Sequence, residues 1–339
     1  MIAIGYRQPG PIERDDALID ITLPAPTPTG RDLLVEVKAV SVNPVDTKVR
    51  KRAAPAEGQF KVLGWDAAGI VTSVGPDVTL FRPGDAVFYA GSIVRDGCNA
   101  QFHLVDERIV GLKPTTLDWA EAAAMPLTSI TAYEVLFDRL DVRRPVAGAA
   151  SAVLIVGGAG GVGSIAIQLA RRLTDLTVIA TASRPETIAW VTEMGAHHVL
   201  DHTRPLAAQV AALGIGAPAF VFSTTHTDQH IAEIVELISP QGRFAYIDDP
   251  ATLDVMVFKP KSVSTHLESM FTRSVFQTTD MAEQGMLLNT VSRLVDAGTL
   301  RTTMTERLSP IDAATLKRVH ARVESTTTIG KIVLEGFAS

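Results

Sequence analysis

An apolar run, Ala152-Val153-Leu154-Ile155-Val156, leads straight into Gly157-Gly158-Ala159-Gly160-Gly161-Val162-Gly163, and an amphipathic stretch follows from Val162 to Leu173. Few folds accept that order. A buried strand must turn sharply, expose backbone amides and enter a helix within a few residues. The register Gly158-x-Gly160-x-x-Gly163 matches the dinucleotide fingerprint. There the first glycine allows the tight turn, the second admits a pyrophosphate to the backbone, and the third lets helix pack on strand. Gly158, Ala159, Gly160, Gly161, Val162 and Gly163 are therefore candidate cofactor-binding residues, with amides of the helix start facing the phosphates.

A glycine turn alone is weak evidence, so its surroundings matter. Strands are predicted at Ala152–Val156, Thr177–Thr181, His198–Leu200, Ala219–Ser223 and Arg243–Ile247, with Ser262–His266 as a possible sixth. Helical patterns lie between them at about Val162–Leu173, Pro185–Glu193, Pro205–Leu213 and Thr227–Ile238. Such alternation means an α/β fold with a parallel sheet covered on both faces, the doubly wound Rossmann arrangement. Ser223, the last residue of the fourth strand, joins the cofactor-binding candidates.

The end of the second strand selects the cofactor. An NAD site wants an acid there to accept from the ribose 2′-hydroxyl. This chain reads Ala180-Thr181-Ala182-Ser183-Arg184-Pro185-Glu186, with no acid at the strand end. Ser183 and Arg184 offer a donor and a fixed positive charge, which suit the 2′-phosphate of NADPH. Ser183 can also cap the next helix, with Glu186 as its capping-box partner.

Before the glycine loop the chain reads differently. From Ile2 to about Leu117 short β-rich runs alternate with Gly/Pro turns, which suggests a compact, barrel-like β unit. Asp118 and Glu121 form a capping box for a helix at Trp119–Met125. Beyond the α/β region, helical patterns at Asp280–Ala297 and Ile311–Val323 precede a closing strand at Gly330–Leu334. The domains are set at 1–124, completed by 275–339, and 125–274.

Composition excludes several function classes. With 339 residues, 46% hydrophobic and 20% charged, the chain has core material for two globular domains. A formal charge of −6 leaves no basic stripe for nucleic acid. The apolar stretch Ala149–Ala170 is broken by glycines and followed by Arg171 and Arg172, so no membrane span is expected. Met1–Gly10 lacks the pattern of a secretory leader, and a single cysteine, Cys98, forms no disulfide framework. A cytoplasmic location is the default expectation.

Three blocks carry a resemblance. Ala39-Val40-Ser41-Val42-Asn43-Pro44-Val45-Asp46, Gly64-Trp65-Asp66-Ala67-Ala68-Gly69-Ile70-Val71 and the glycine loop together resemble the medium-chain dehydrogenase/reductase superfamily. Within it the chain is similar to the quinone oxidoreductase-like branch, in the group labelled zinc-type alcohol dehydrogenase-like; Gly97–Arg108 and Ala180–Glu186 support that placement. The resemblance implies a GroES-like β-barrel catalytic domain, an inserted Rossmann domain and an active site in the cleft between them. It also implies a homodimer formed through the last sheet strand, Ser262–His266.

Family alcohol dehydrogenases hold zinc with a cysteine in the first block and a histidine in the second. Those places are Asn43 and Trp65 here, and neither an amide nor an indole suits zinc. The four-cysteine structural lobe is impossible with one cysteine. No metal site is expected. His197, His198 and His202 point to alternate faces of a strand, and His226 and His230 are read as a solvated helix start that could line the cofactor cleft.

Without a Lewis acid, hydride is best delivered to a small molecule already electron-poor, a quinone or an α,β-unsaturated carbonyl. The resemblance implies Asn43 as hydrogen-bond donor, Lys48 as a charge or proton source where relatives carry tyrosine, and Thr131 beside the nicotinamide. Lys48 reads equally as a solvated lysine, Thr131 as a helix threonine, Asp46 as a turn carboxylate and Cys98 as a bystander. Two alternatives stay open: a zinc-type alcohol dehydrogenase, and a non-catalytic NADPH-binding protein.

Overall fold

Leu33, Val35, Val37 and Ala39 recur at every second position, and that period buries them together only on one face of a strand. The computed structural model describes residues 1–338. They fall into two units, Met1–Ile130 with the chain from Phe271 onward, and Thr131–Met270.

The first unit opens with β1 (Ile2–Tyr6), β2 (Ile19–Thr22), β3 (Asp32–Ser41), helix α1 (Pro44–Arg52), β4 (Lys61–Val62) and β5 (Ala67–Val74). Then come β6 (Ala86–Tyr89), β7 (Phe102–Asp106), β8 (Val110–Leu112), α2 (Trp119–Ala123) and α3 (Pro126–Tyr133). The strand β1 pairs antiparallel with β2 and β4 in a small sheet. The spine of the larger sheet is β3: one edge meets β5, while β7 pairs with its first half, Asp32–Glu36. Its α2 has the expected capping box, with Glu121 N–H donating to Asp118 at 2.8 Å and Asp118 N–H to Glu121 at 3.0 Å.

The helix α1 departs from the strand-and-turn expectation for this region. Its buried positions are Asp46, Thr47 and Arg50, all polar, so no apolar period announces it. Pro44 at its first position and Asn43 as its cap are the local signals that fit.

The second unit is built on β9 (Ala150–Val156), α4 (Gly161–Leu173), β10 (Thr177–Thr181), α5 (Pro185–Met194), β11 (His198–Leu200) and α6 (Leu206–Ala212). It continues with β12 (Pro218–Ser223), α7 (Thr227–Leu237), β13 (Arg243–Tyr246) and β14 (Ser264–Leu267). All six strands are parallel, in the order β11-β10-β9-β12-β13-β14. Successive strands therefore run outward on one side of β9 and then restart on the other. The loops after β9 and β12 diverge to opposite faces, opening a crevice at their carboxyl ends. The sixth strand begins two residues later than expected, because Ser262, at φ 49°, caps a 3₁₀ turn over Val255–Lys261.

Leu154, Val156, Val221, Phe244 and Phe258 are at most 1% exposed, and they anchor a core between the sheet and helices α6 and α7. At roughly 1.5–3 kcal/mol per large apolar side chain, this burial holds the strand ends that form the crevice.

The chain then returns to the first unit through α8 (Thr272–Phe276), α9 (Glu283–Asp296), β15 (Met304–Leu308), α10 (Ala313–Glu324) and β16 (Lys331–Glu335). Gly298, at φ 68°, follows the end of α9 in the left-handed conformation that glycine adopts without strain. Strand β16 pairs antiparallel with the second half of β3, Ala39–Ser41, and carries β15 on its other edge. This pairing sets Lys331 beside the start of α1. Among the described residues no helix is long and apolar enough to cross a membrane.

Candidate functional site

The glycine loop lies in the second unit at the carboxyl end of β9. Gly157 has φ 80°, and a Cβ there would collide with the Thr224 hydroxyl and sit 2.9 Å from Thr225 Cγ2. The tight turn thus belongs to Gly157, one residue before the glycine expected from the fingerprint. Gly157 N–H donates to Thr181 Oγ1 at 2.9 Å and Gly158 N–H to Thr181 O at 3.1 Å, tying the loop to the end of β10. Gly158 is needed for close packing: its Cβ would lie 2.9 Å from Ala180 Cβ. Gly163 plays its expected part, since a Cβ there would strike Gly157 O and lie 2.7 Å from Gly158 Cα.

Gly160 differs from all three. The nearest heavy atom to a Cβ at this position is Gly157 O at 3.8 Å, and its φ of −71° suits any residue. The protein's own packing does not require glycine here, so the open side is room for something else. Gly160 caps α4, whose first amides, from Gly161, Val162 and Gly163, have no acceptor within the helix. Open space beside amides at the positive end of a 13-residue helix fits a dinucleotide pyrophosphate.

At the next strand end, Arg184 rather than Ser183 is the helix cap. Pro185 takes the first helical position, and Arg184 N–H donates to Thr187 Oγ1 at 3.1 Å. Ser183 and Glu186 therefore do not form the capping box. Glu186 instead lies 3.3 Å from Arg184 Nε in a largely exposed pair. The Ser183 hydroxyl meets His202 Nε2 at 3.2 Å. Ser223 is fully buried, its hydroxyl 2.8 Å from Thr227 Oγ1, and Thr227 donates its own hydroxyl proton to Asp248 at 2.5 Å. His197 Nδ1 accepts from Val178 N–H at 2.9 Å, a structural role.

A second constellation lies in the first unit, where four polar side chains are buried together. Asn43 is 1% exposed, Asp66 0%, Asp46 1% and Lys331 4%. Asn43 N–H donates to Asp46 Oδ2 at 2.8 Å, closing the cap of α1. The Asn43 side-chain amide donates to Asp66 Oδ2 at 2.8 Å, and its oxygen accepts from Lys331 Nζ at 2.5 Å. Lys331 Nζ also donates to Val42 O at 3.0 Å and lies 3.0 Å from Asp66 Oδ2. The other Asp66 oxygen accepts from Leu127 N–H, at the start of α3, at 2.7 Å.

Two carboxyls and one ammonium share this dry space. Burial pushes the Asp46 carboxyl up to about 7, against the pull of the Asn43 amide and Lys331. Its Oδ1 is buried without a hydrogen-bond partner, so nothing there offsets the burial of a charge. Burial also raises Asp66, opposed first by Lys331.

These groups do not fit a zinc ion. The Asn43 amide is engaged at both ends, and Lys331 holds the carboxylate of Asp66. Trp65 is 1% exposed and donates from its indole to Ser92 O at 3.2 Å, with Phe271 packed edge-on at 6.1 Å. Cys98 is buried, its thiol raised by burial and 3.4 Å from Asp66 O. Among the described residues no group of three or more His, Cys, Asp or Glu side chains could hold a metal.

Lys48 is partly buried on α1, five residues after Asn43, and Thr131 is 5% exposed on α3. Sequence reasoning missed Lys331 and the part played by Asp66, because their partner Asn43 is distant along the chain. It also missed His202 as a neighbour of Ser183, although the alignment of two parallel strand ends could have suggested it.

Two family models match the chain: an alcohol dehydrogenase GroES-like domain over residues 29–128 and a zinc-binding dehydrogenase over 161–286. A zinc-type alcohol dehydrogenase-like protein of Staphylococcus aureus is 40% identical, covering 98% of this chain and 99% of its own. A crystal structure from Rhizobium etli CFN 42, described as a candidate zinc-dependent alcohol dehydrogenase, has 70% identity and a TM-score of 0.99, covering 100% of this chain and 99% of that one. An Escherichia coli quinone oxidoreductase solved with NADPH shares the fold at TM-score 0.81 and 21% identity, covering 99% and 100%.

Proposed function

Because the chain belongs to the medium-chain dehydrogenase/reductase superfamily, in its quinone oxidoreductase-like branch, we propose that it is an oxidoreductase that transfers hydride from NADPH to a quinone or an α,β-unsaturated carbonyl without zinc. The observation that carries the cofactor reading is the open side of Gly160 beside unpartnered helix amides, next to a strand end that bears Ser183 and Arg184 in place of an acid. An acid there would repel a 2′-phosphate, whereas guanidinium and hydroxyl attract it.

The bound cofactor supplies the hydride, and the chain supplies position. The amides of Gly161–Gly163 take the pyrophosphate, and Arg184 with Ser183 takes the ribose phosphate. An acceptor held at the substrate end would take the hydride at one atom and a proton from solvent or a side chain at its partner atom. Thr131 and Lys48 are the side chains offered for the substrate end on family resemblance. Asn43, which the resemblance offered as the donor to the substrate, has its side chain held by Asp66 and Lys331 instead and fixes the loop into α1. Substrates that are electron-poor from the start need no Lewis acid, which agrees with a donor set unsuited to zinc.

The same reading includes a homodimer through the outer edge of β14. Leu267 is 68% exposed there, and exposed Val255 and Met256 line the same hollow.

The test is a panel of quinones and enones assayed with NADPH and NADH, with metal analysis of the purified protein. Turnover with NADPH and no stoichiometric zinc is expected, and Arg184→Ala should weaken NADPH far more than NADH. Binding of NADPH with no turnover across the panel would favour a non-catalytic protein, and stoichiometric zinc would restore the alcohol dehydrogenase alternative.

A further inference from the structure

Strands β10 and β11 run parallel with Thr181 opposite Leu200, so the residues two places beyond, Ser183 and His202, emerge side by side. Their side chains meet, Ser183 Oγ to His202 Nε2 at 3.2 Å. His230, from α7, stands edge-on to His202 with ring centroids 6.4 Å apart, and His226 heads the same helix. Arg184 follows Ser183. Imidazoles, a hydroxyl and a guanidinium thus gather at the carboxyl edge of the sheet, an arrangement with hydrogen-bond donors and potential cations but no metal-holding set.

We propose that His202 is a specificity-determining residue, which joins Ser183 and Arg184 to form the seat of the cofactor's 2′-phosphate and takes up a proton when that phosphate binds. The inference rests on the NADPH reading above.

Burial is the largest influence on the His202 ring and disfavours its charged form, and the charged groups around it modify that. On its own loop Asp201 favours the imidazolium, though that carboxylate is already engaged by Thr203 N–H and Oγ1 at 2.9 and 2.7 Å. From α5, Arg184 opposes a charge on the ring, and Glu186 sits against Arg184. From α7, His226 opposes it, His230 faces it, and Asp228 and Glu233 act on His230 instead. Glu233 is further occupied by Ala207 N–H at 2.8 Å. Arg204 lies two residues beyond His202.

Burial first, with His226 and Arg184 behind it and against Asp201, holds His202 below its ordinary value, so without ligand the ring is neutral near pH 7. A dianionic phosphate monoester reverses the balance. It attracts the proton, Nε2–H becomes a charge-assisted donor, and Ser183 turns its hydroxyl to the same oxygen set. A 2′-hydroxyl carries no charge and draws no proton.

The experiment is calorimetric titration of the purified full chain with NADPH and with NADH, in buffers of different ionisation enthalpy, from about pH 7 to about 8.5. Over that range the phosphate, with a second pKa of about 6, is already dianionic and contributes little proton exchange of its own. Proton uptake with NADPH and none with NADH is expected. NADPH affinity should fall with rising pH, by up to about tenfold per unit for one linked proton. His202→Gln keeps a hydrogen-bonding side chain without a titratable ring; it should abolish the uptake and the slope while leaving the NADH Kd unchanged, which also reports a folded protein. Uptake that persists in His202→Gln, or NADPH preferred with no uptake in the wild type, overturns the inference alone. Equal affinity for NADH and NADPH at every pH overturns the cofactor reading beneath it.

Discussion

Replacing Lys331 by methionine isolates what the buried polar centre of the first unit does. Methionine keeps much of the stem's volume and removes the ammonium. Three oxygens then lose the ammonium as a donor: Val42 O and Asp66 Oδ2, each 3.0 Å from Nζ, and Asn43 Oδ1 at 2.5 Å, with Asp66 Oδ2 keeping only the Asn43 amide at 2.8 Å. Orphaning one buried acceptor costs about 1–3 kcal/mol, and removing one partner of a buried ion pair about 3–5 kcal/mol. Because the orphaned groups share one neighbourhood these figures overlap, and a net loss of about 4 kcal/mol is expected. The loss should grow with pH. Without the ammonium, the folded state keeps Asp66 protonated to a higher pH than the unfolded chain does, so stability falls as pH rises through that interval. Urea denaturation followed by tryptophan fluorescence reads it, Trp65 being next to Asp66. The control is Lys331→Met combined with Asp66→Asn, which removes the stranded charge. In that variant the Asn43 amide can turn over so that its oxygen accepts from the new amide, and the pair should recover about 2 kcal/mol over the single variant. A double variant no more stable than Lys331→Met would refute the argument, because the cost would then have nothing to do with an uncompensated Asp66 charge.

Asp46 makes a prediction of its own. Its folded value of about 7 lies above the unfolded value, so the native state retains a proton that the unfolded chain has released. Its contribution to stability therefore declines as pH climbs from about 4 through about 7, by on the order of 4 kcal/mol at the limit, and levels off above that. Asp46→Asn should remove this decline, measured as the difference between the two stability–pH curves; parallel curves would show that Asp46 does not hold the proton. Two glycine variants separate fold from function in the loop. Gly160→Ala meets nothing within 3.8 Å, so stability should change by less than about 1 kcal/mol while NADPH binding weakens at least tenfold. Gly163→Ala drives its methyl into the backbone of Gly157 and Gly158 and should lower the melting temperature by several degrees, about what 1–3 kcal/mol of overpacking gives. Unimpaired cofactor binding by Gly160→Ala would remove the reason for leaving that side of the loop open.

The α/β unit is legible along the chain nearly strand for strand, including Thr177–Thr181 and His198–Leu200, with the glycine loop between β9 and α4. It could do so because the signals are local: apolar runs, helical periods and glycines that follow one another along the chain. Local reading failed where the buried face is polar. The helix α1 turns Asp46, Thr47 and Arg50 inward, and only the tertiary partners of Asp46 explain a carboxyl there. Neighbouring glycines were also not interchangeable. Gly157 carries the positive φ, Gly158 and Gly163 are forced by contact, and Gly160 is free of both, a distinction that depends on atoms from Ala180 and Thr224. Two junctions belong wholly to the tertiary structure. Lys331 reaches Asn43 across 288 residues because β16 pairs with the end of β3, and His202 reaches Ser183 because β10 and β11 end level. In both cases strand register is the physical cause. It fixes which side chains share a strand end, and it is set by pairing between segments distant in the chain, which no local pattern specifies.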